Sequence, residues 1–76
     1  MNKPIINMKE TGNKINCLRK EAGMSVIKLT NELGYSTTQV IYKWLEGKTL
    51  PSPDNLVALA HMFNVTVDEL LVTELT

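Results

Sequence analysis

Residues that start and stop helices recur at short intervals along this 76-residue chain, and they limit it to short helical segments. Gly23, Gly34 and Gly47 each stand where a helix commonly ends in a left-handed residue. Ser25 and Ser52 stand where a side-chain oxygen accepts a bond from the first helical turn. No stretch alternates apolar and polar residues as a half-buried strand does. The pattern predicts an all-α fold, a compact bundle of four to five helices joined by tight turns.

The individual helix ends can be assigned in the same way. Thr11 is predicted to cap the first helix and Thr37 the third. Pro53 follows Ser52 directly, which is the order expected in the first turn of a fourth helix. Thr66 and Glu69 have the spacing of a capping box for the fifth. The side chains predicted to point inward are Ile15, Leu18, Ala22, Leu29, Leu33, Val40, Ile41, Trp44, Leu45, Leu56, Leu59, Ala60, Phe63 and Leu70.

The chain length suits one domain with one modest core. Residues 1–10 contain a proline and no helical period, so we expect them to form an N-terminal arm. Residues 11–72 are expected to form the helical domain, and residues 73–76 a short, frayed tail. No apolar run approaches the roughly 18 residues that span a bilayer, and no signal peptide opens the chain. These features predict a cytoplasmic protein with no membrane contact.

The charges are unevenly distributed although the net charge is zero. All eight lysines and arginines lie at or before Lys48, where they outnumber the acids by four. Beyond Lys48 the chain contains four acids and no lysine or arginine. These acids are Asp54, Asp68, Glu69 and Glu74. Such an asymmetry is typical of a protein that presents one face to phosphates and keeps the other in solvent.

Catalytic and metal-binding patterns are missing from the sequence. The lone Cys17 excludes an intrachain disulfide, and we expect it to be a packing residue. His61 has no second histidine, cysteine or spaced acid to complete a metal site, so we expect it to be solvated. There is no nucleophile elbow and no glycine-rich phosphate loop. We therefore predict no enzymatic activity, no cofactor, no metal and no small-molecule ligand.

The third predicted helix has one apolar side and one polar side. On a helical wheel Val40, Ile41, Trp44 and Leu45 share a side, and we interpret Trp44 as a core residue. The opposite side presents an amide, an ammonium, a carboxylate and, on its flank, a phenol. An amide can pair with adenine, and a lysine can donate to guanine or to a phosphate. These groups belong to Gln39, Lys43, Glu46 and Tyr42, with Thr38 at the helix tip.

A polar outer face is also typical of any surface helix. The order of all the predicted elements must therefore decide whether this helix reads DNA or is a plain surface helix. The informative stretches are Ile15-Asn16-Cys17-Leu18-Arg19, Ala22-Gly23-Met24-Ser25, Leu29, Glu32-Leu33-Gly34, Gln39, Tyr42-Lys43-Trp44, Glu46-Gly47-Lys48, Leu50-Pro51-Ser52, Asp54-Asn55-Leu56 and Val65-Thr66-Val67-Asp68-Glu69-Leu70-Leu71. In this register the chain from residue 15 to residue 71 resembles the phage repressor and Cro family of helix-turn-helix regulators, the Xre family.

The resemblance implies a lambda-repressor-like DNA-binding domain whose third helix enters the major groove of double-stranded DNA. It implies a transcriptional regulator, and a repressor in particular, since members of this family commonly repress transcription. The residues at base-reading positions are Thr38, Gln39, Tyr42 and Lys43. The residues at phosphate-binding positions are Arg19, Ser25, Lys28, Thr37 and Lys48.

Some positions depart from the family pattern. Val26 replaces a glutamine that often reaches a phosphate, and it could mark an apolar surface instead. Leu45 replaces a glutamate able to pair with the arginine that Arg19 matches. Arg19 is therefore expected to turn to Glu46 or to remain free for phosphate. The turn before the third helix is also one residue longer than in the simplest members.

Two points stay open at the level of the sequence. Such domains usually act as homodimers, and the interface is expected either at Leu71, Val72 and Leu75 or at the N-terminal arm. The arm would contribute Ile5, Ile6 and Met8. The alternative function is a protein-interaction module, antitoxin-like or an adaptor subunit, that kept the fold but binds DNA weakly.

Overall fold

The computed structural model describes residues 2–76, which form five helices and two short strands. The all-α prediction is confirmed, and the strand pair is a small addition to it. In chain order the elements are β1 (Pro4–Ile6), α1 (Met8–Glu21), α2 (Val26–Glu32), α3 (Gln39–Leu45), α4 (Pro53–Phe63), α5 (Val67–Leu70) and β2 (Thr73–Leu75).

The start of α1 differs from the prediction. Asn7 caps the helix, since its Oδ1 accepts a hydrogen bond of 2.9 Å from the Glu10 amide. The predicted cap, Thr11, lies inside the helix and is buried. Its hydroxyl instead accepts a bond of 3.0 Å from the Val72 amide, near the other end of the chain. The prediction was wrong because Asn and Thr are both good capping residues and the local sequence does not rank them.

The other helix ends agree better with the sequence. Ser25 accepts a bond from the Lys28 amide (3.0 Å) and Ser52 from the Asn55 amide (3.3 Å). The capping box of α5 is present in both directions. At α3, however, the N-cap is Thr38 rather than Thr37, and no side-chain bond caps it. Ala22, predicted to be buried, is exposed because it caps the end of α1.

Each helix contributes one fully buried aliphatic side chain to a shared core. These five residues are Ile15, Leu29, Ile41, Leu59 and Leu70. Trp44, which is 3% exposed, completes the core together with Ala60. Burying one such aliphatic side chain contributes roughly 1.5–3 kcal/mol. The predicted core position of Trp44 is confirmed.

The helices α1 and α3 touch through their backbones at Gly12. A Cβ atom at this position would overlap the Trp44 carbonyl oxygen and lie 2.8 Å from the Leu45 carbonyl oxygen. A second contact of the same kind lies beside it, where Gly47 meets the backbone of Lys9 and Met8. The N-terminal half of α1 therefore packs directly against the C-terminal end of α3.

The two ends of the chain pair as an antiparallel ribbon. In this terminal ribbon, Pro4 pairs with Leu75, Ile5 with Glu74 and Ile6 with Thr73. The Thr76 amide also donates to the Lys3 carbonyl at 3.0 Å. The expectations of a separate arm and a frayed tail were therefore wrong. The cause is a pairing of residues about 70 positions apart, which no local pattern reveals.

Candidate nucleic-acid interface

The helices α2 and α3 are joined by a turn at residues 33–38, whose second residue is Gly34. Gly34 has a φ of 80°, in the region that glycine occupies without strain. Its amide donates to the Asn31 carbonyl, and the Tyr35 amide donates to the Thr30 carbonyl, each at 3.1 Å. These bonds close the end of α2 and turn the chain toward α3.

Tyr35 ties this turn to two other helices. Its ring meets the Trp44 ring edge-on, with centroids 6.0 Å apart and an interplanar angle of 76°. Its hydroxyl accepts a hydrogen bond of 2.5 Å from the Asn55 side-chain amide at the start of α4. Tyr35 and Gly12 both meet the last turn of α3, Tyr35 at the Trp44 ring and Gly12 at the Trp44 and Leu45 carbonyls. The sequence analysis missed both residues, because neither contact follows a helical period.

The outer face of α3 is open to solvent. Gln39, Lys43 and Glu46 are exposed, and Tyr42 keeps 49% of its surface exposed. Thr38, at the start of the helix, is half-buried. On the opposite side Ile41 and Trp44 are buried, with Val40 and Leu45 packed partly against the core. The helical wheel therefore assigned the inner and outer sides correctly.

The lysines at predicted phosphate positions form ion pairs with neighbouring acids. Lys28 Nζ lies 2.9 Å from a Glu32 carboxylate oxygen, and this hydrogen bond and charge raise the pKa of Lys28. Lys48 Nζ lies 3.5 Å from Glu46. All four side chains are largely exposed, so these pairs contribute little to stability. The raised pKa of Lys28 favours its charged form.

Arg19 is engaged inside the protein. Its Nε and Nη2 donate to Asn16 Oδ1 at 3.1 and 2.7 Å, and its Nη1 donates to the Met24 carbonyl at 2.7 Å. The expected alternative of an Arg19–Glu46 pair is wrong, because Glu46 pairs with Lys48 and Arg19 is held by its own helix. The guanidinium connects the end of α1 to the chain that enters α2.

The remaining predicted site residues surround the start of the two helices. Ser25 and Thr37 are exposed, and Ser25 uses its hydroxyl as a cap. Val26 is half-buried against the core, whereas the adjacent Ile27 is 65% exposed. Cys17 is exposed, so its expected role as a packing residue is wrong. Residues 2–76 contain no cluster of three or more metal-ligating side chains and enclose no pocket.

A five-helix bundle in which a glycine turn joins two short helices, the second with an exposed polar face, defines a helix-turn-helix domain. The helix-turn-helix family profile matches residues 18–70, which is most of the chain. The protein belongs to this family, as an Xre/Cro-like helix-turn-helix regulator.

Two solved structures are similar to the chain. The DNA-binding domain of BldD is 26% identical, with a TM-score of 0.70 over 86% of this chain and 93% of that one. The S. venezulae BldD DNA-binding domain gives the same identity and TM-score, with 96% of that chain covered. No curated protein sequence matches the chain.

The family and these structural relatives identify the protein as a DNA-binding transcription regulator, in a class of non-enzymatic regulators. Its partner is DNA. Across residues 2–76, no helix combines the length and the apolar character that a membrane crossing requires.

Proposed function

We propose that this protein is a cytoplasmic, sequence-specific transcriptional repressor that inserts α3 into the major groove of DNA. The observation that carries the proposal is the exposed polar face of α3, backed on its inner side by Ile41 and Trp44. A helix held in this way presents its outer side chains in a fixed arrangement, as base reading requires. The resemblance to phage repressors favours repression.

Within this proposal, the residues near the start and the outer face of α3 contact base edges. Gln39 pairs with an adenine through its amide, and Lys43 donates to a guanine or to a phosphate. Tyr42 adds a phenol on the flank of the helix, and Thr38 adds a methyl group and a hydroxyl at its tip. The half-buried Thr38 reaches the groove only with its exposed part.

A second group of residues contacts the phosphates and sets the position of the domain on DNA. The exposed Lys28 and Lys48 exchange their neighbouring carboxylates for phosphates at little cost, because those ion pairs are solvated. Ser25 and Thr37 lie at the starts of α2 and α3, where backbone amides favour anions. Arg19 contributes mainly by fixing the entrance to α2, since its donors are already occupied.

The salt dependence of binding to random duplex DNA tests the proposal against the protein-interaction alternative. We expect the logarithm of the binding constant to fall linearly with the logarithm of salt concentration, by about 0.9 per neutralised phosphate. Lys48→Gln should lower this slope by about one. Lys14→Gln, on α1 and outside the proposed contacts, is the control and should leave the slope unchanged. Binding that is absent or insensitive to salt would favour the interaction module.

Replacing Gln39 tests whether α3 reads sequence. Gln39→Ala should lower the affinity for a sequence selected from a random pool by roughly 1–3 kcal/mol and relax one base position. Its thermal unfolding should hardly change, because the side chain is exposed. An equal loss of affinity for selected and random duplexes would show that Gln39 does not read bases.

We also propose that the protein acts as a homodimer on two half-sites about one helical turn apart. One short domain makes few base contacts, so a linked second copy increases the affinity. Of the two interfaces expected from the sequence, the tail patch is smaller than predicted, since Leu71 and Val72 are half-buried. Leu75 is exposed, and it lies on the same terminal ribbon as the exposed Ile5 and Ile6. The two candidate interfaces therefore meet on the terminal ribbon, with Leu75 and Ile6 on one face and Ile5 on the other.

A further inference from the structure

The terminal ribbon has two open edges whose hydrogen-bonding groups can be assigned from its register. The Lys3 carbonyl and the Asn7 amide bond to β2, so residues 3, 5 and 7 point their backbone groups toward that strand. Pro4 and Ile6 must then point theirs outward, because backbone direction alternates along a strand. The outer edge of β1 therefore offers the Ile6 amide and the carbonyls of Pro4 and Ile6.

The ribbon is also poorly covered by the rest of the protein. All six strand residues are exposed, including Ile5 (41%), Ile6 (37%) and Leu75 (69%). A two-stranded ribbon of this length is marginal in water, and exposed edges pair readily with further strands. A third strand along one edge would supply the missing partners.

The two edges differ in how they would meet a second copy of themselves. Antiparallel pairing of two β2 strands in full overlap would place Glu74 directly opposite Glu74 of the other copy, and like charges in this position are destabilising. Pairing of two β1 strands in full overlap would instead place Ile5 opposite Ile5. In that register the Ile6 amide of each copy reaches the Pro4 carbonyl of the other. In this register the Pro4 nitrogen faces the Ile6 carbonyl of the other copy and has no hydrogen to donate, so the two copies share two hydrogen bonds, one from each Ile6 amide.

We infer that a second copy of this chain pairs along the β1 edge, antiparallel, with Ile5 on the twofold axis. The product is a four-stranded sheet in the order β2, β1, β1, β2. Its two outer edges are the β2 strands, which carry Glu74. Repulsion between Glu74 side chains of different copies disfavours the addition of further strands, so the assembly closes as a dimer. This inference rests on the proposed homodimer and specifies its interface.

The pairing is weak in the absence of DNA. Three-residue strands bury far less than the roughly 1,000 Å² that a stable interface needs. Two half-sites on one duplex would hold two copies close together and raise their effective concentration. The dimer therefore forms on DNA and at high protein concentration.

Disulfide trapping without DNA tests the interface separately from DNA binding. In a Cys17→Ser background, which removes the exposed native thiol, Ile5→Cys places two thiols across the proposed axis. Opposite residues of a non-hydrogen-bonded pair have Cα atoms about 4.5 Å apart, within the range of a disulfide. The matched control is Glu74→Cys, which places two thiols across the axis of the rejected β2 pairing. Both sites are exposed, so both variants should fold.

Under mild oxidation at high protein concentration, we expect Ile5→Cys to form disulfide dimers at least about tenfold faster than Glu74→Cys. Adding Ile6→Pro to Ile5→Cys removes the outward amide but spares the bonds to β2, and it should reduce the rate to that of the control. Equal rates for the two cysteine variants would overturn the inference, as would a rate unaffected by Ile6→Pro. Salt-dependent DNA binding by the Cys17→Ser protein would show that the proposed function stands even if trapping fails.

Discussion

Gly12→Ala should destabilise the domain by about 3 kcal/mol or more. The expected sign is the reverse of the usual one, because alanine in a helix is normally more stable than glycine by about 1 kcal/mol. Here the added Cβ would overlap the Trp44 carbonyl and crowd the Leu45 carbonyl. Both are backbone atoms that cannot rotate away, so α1 and α3 must separate. Urea unfolding followed by circular dichroism measures the loss.

Gly23→Ala is the matched control for this substitution. Gly23 has a φ of 69° but open space around its Cα, so alanine there meets only backbone strain. That strain costs about 1–2 kcal/mol. A Gly12→Ala protein as stable as the wild type, or more stable, would show that the two helices are not in backbone contact.

Trp44→Ala should cost roughly 3–5 kcal/mol, since it removes a large buried side chain and leaves a cavity. A domain of this length has a total stability of about 4–11 kcal/mol, so much of the folded population could be lost. The indole also supports Tyr35, and its loss should loosen the turn before α3. Thermal unfolding of the variant measures the effect.

Trp44→Phe provides the comparison, because it keeps an aromatic ring in the core. We expect it to recover most of the stability that Trp44→Ala loses. A thermally stable Trp44→Ala protein that had merely lost DNA binding would refute the core assignment and place the indole at the DNA interface.

Local signals predicted the helical part of the fold well. Ser25, Ser52 and Thr66 each accept a hydrogen bond from an amide three residues ahead. The contacts that fix these helix ends therefore lie within one helical turn. The two sides of α3 follow from its period in the same way. Where two local solutions compete, as with Asn7 and Thr11, the sequence does not decide between them.

Features that depend on distant contacts could not be predicted. The terminal ribbon joins residues from opposite ends of the chain, and neither strand has a recognisable pattern of its own. The bond from Asn55 to Tyr35 spans 20 residues, and the role of Gly12 depends on a neighbouring helix. Arg19 was expected to pair with Glu46 or to remain free for phosphate, but its donors bond to the Asn16 side chain and to the Met24 carbonyl, and a backbone acceptor of this kind is not visible in a sequence.

Pairing of β1 with β2 also affects the order in which the chain folds. The bond between Thr76 and Lys3 closes a loop of 73 residues, nearly the whole chain. The entropy lost in closing a loop grows with its length, and contacts this distant in sequence are slow to form from an unfolded chain. The helices must therefore assemble first and bring the two ends together. The ribbon then forms last and opens first, and amide protons in β1 and β2 exchange with solvent before those of the core.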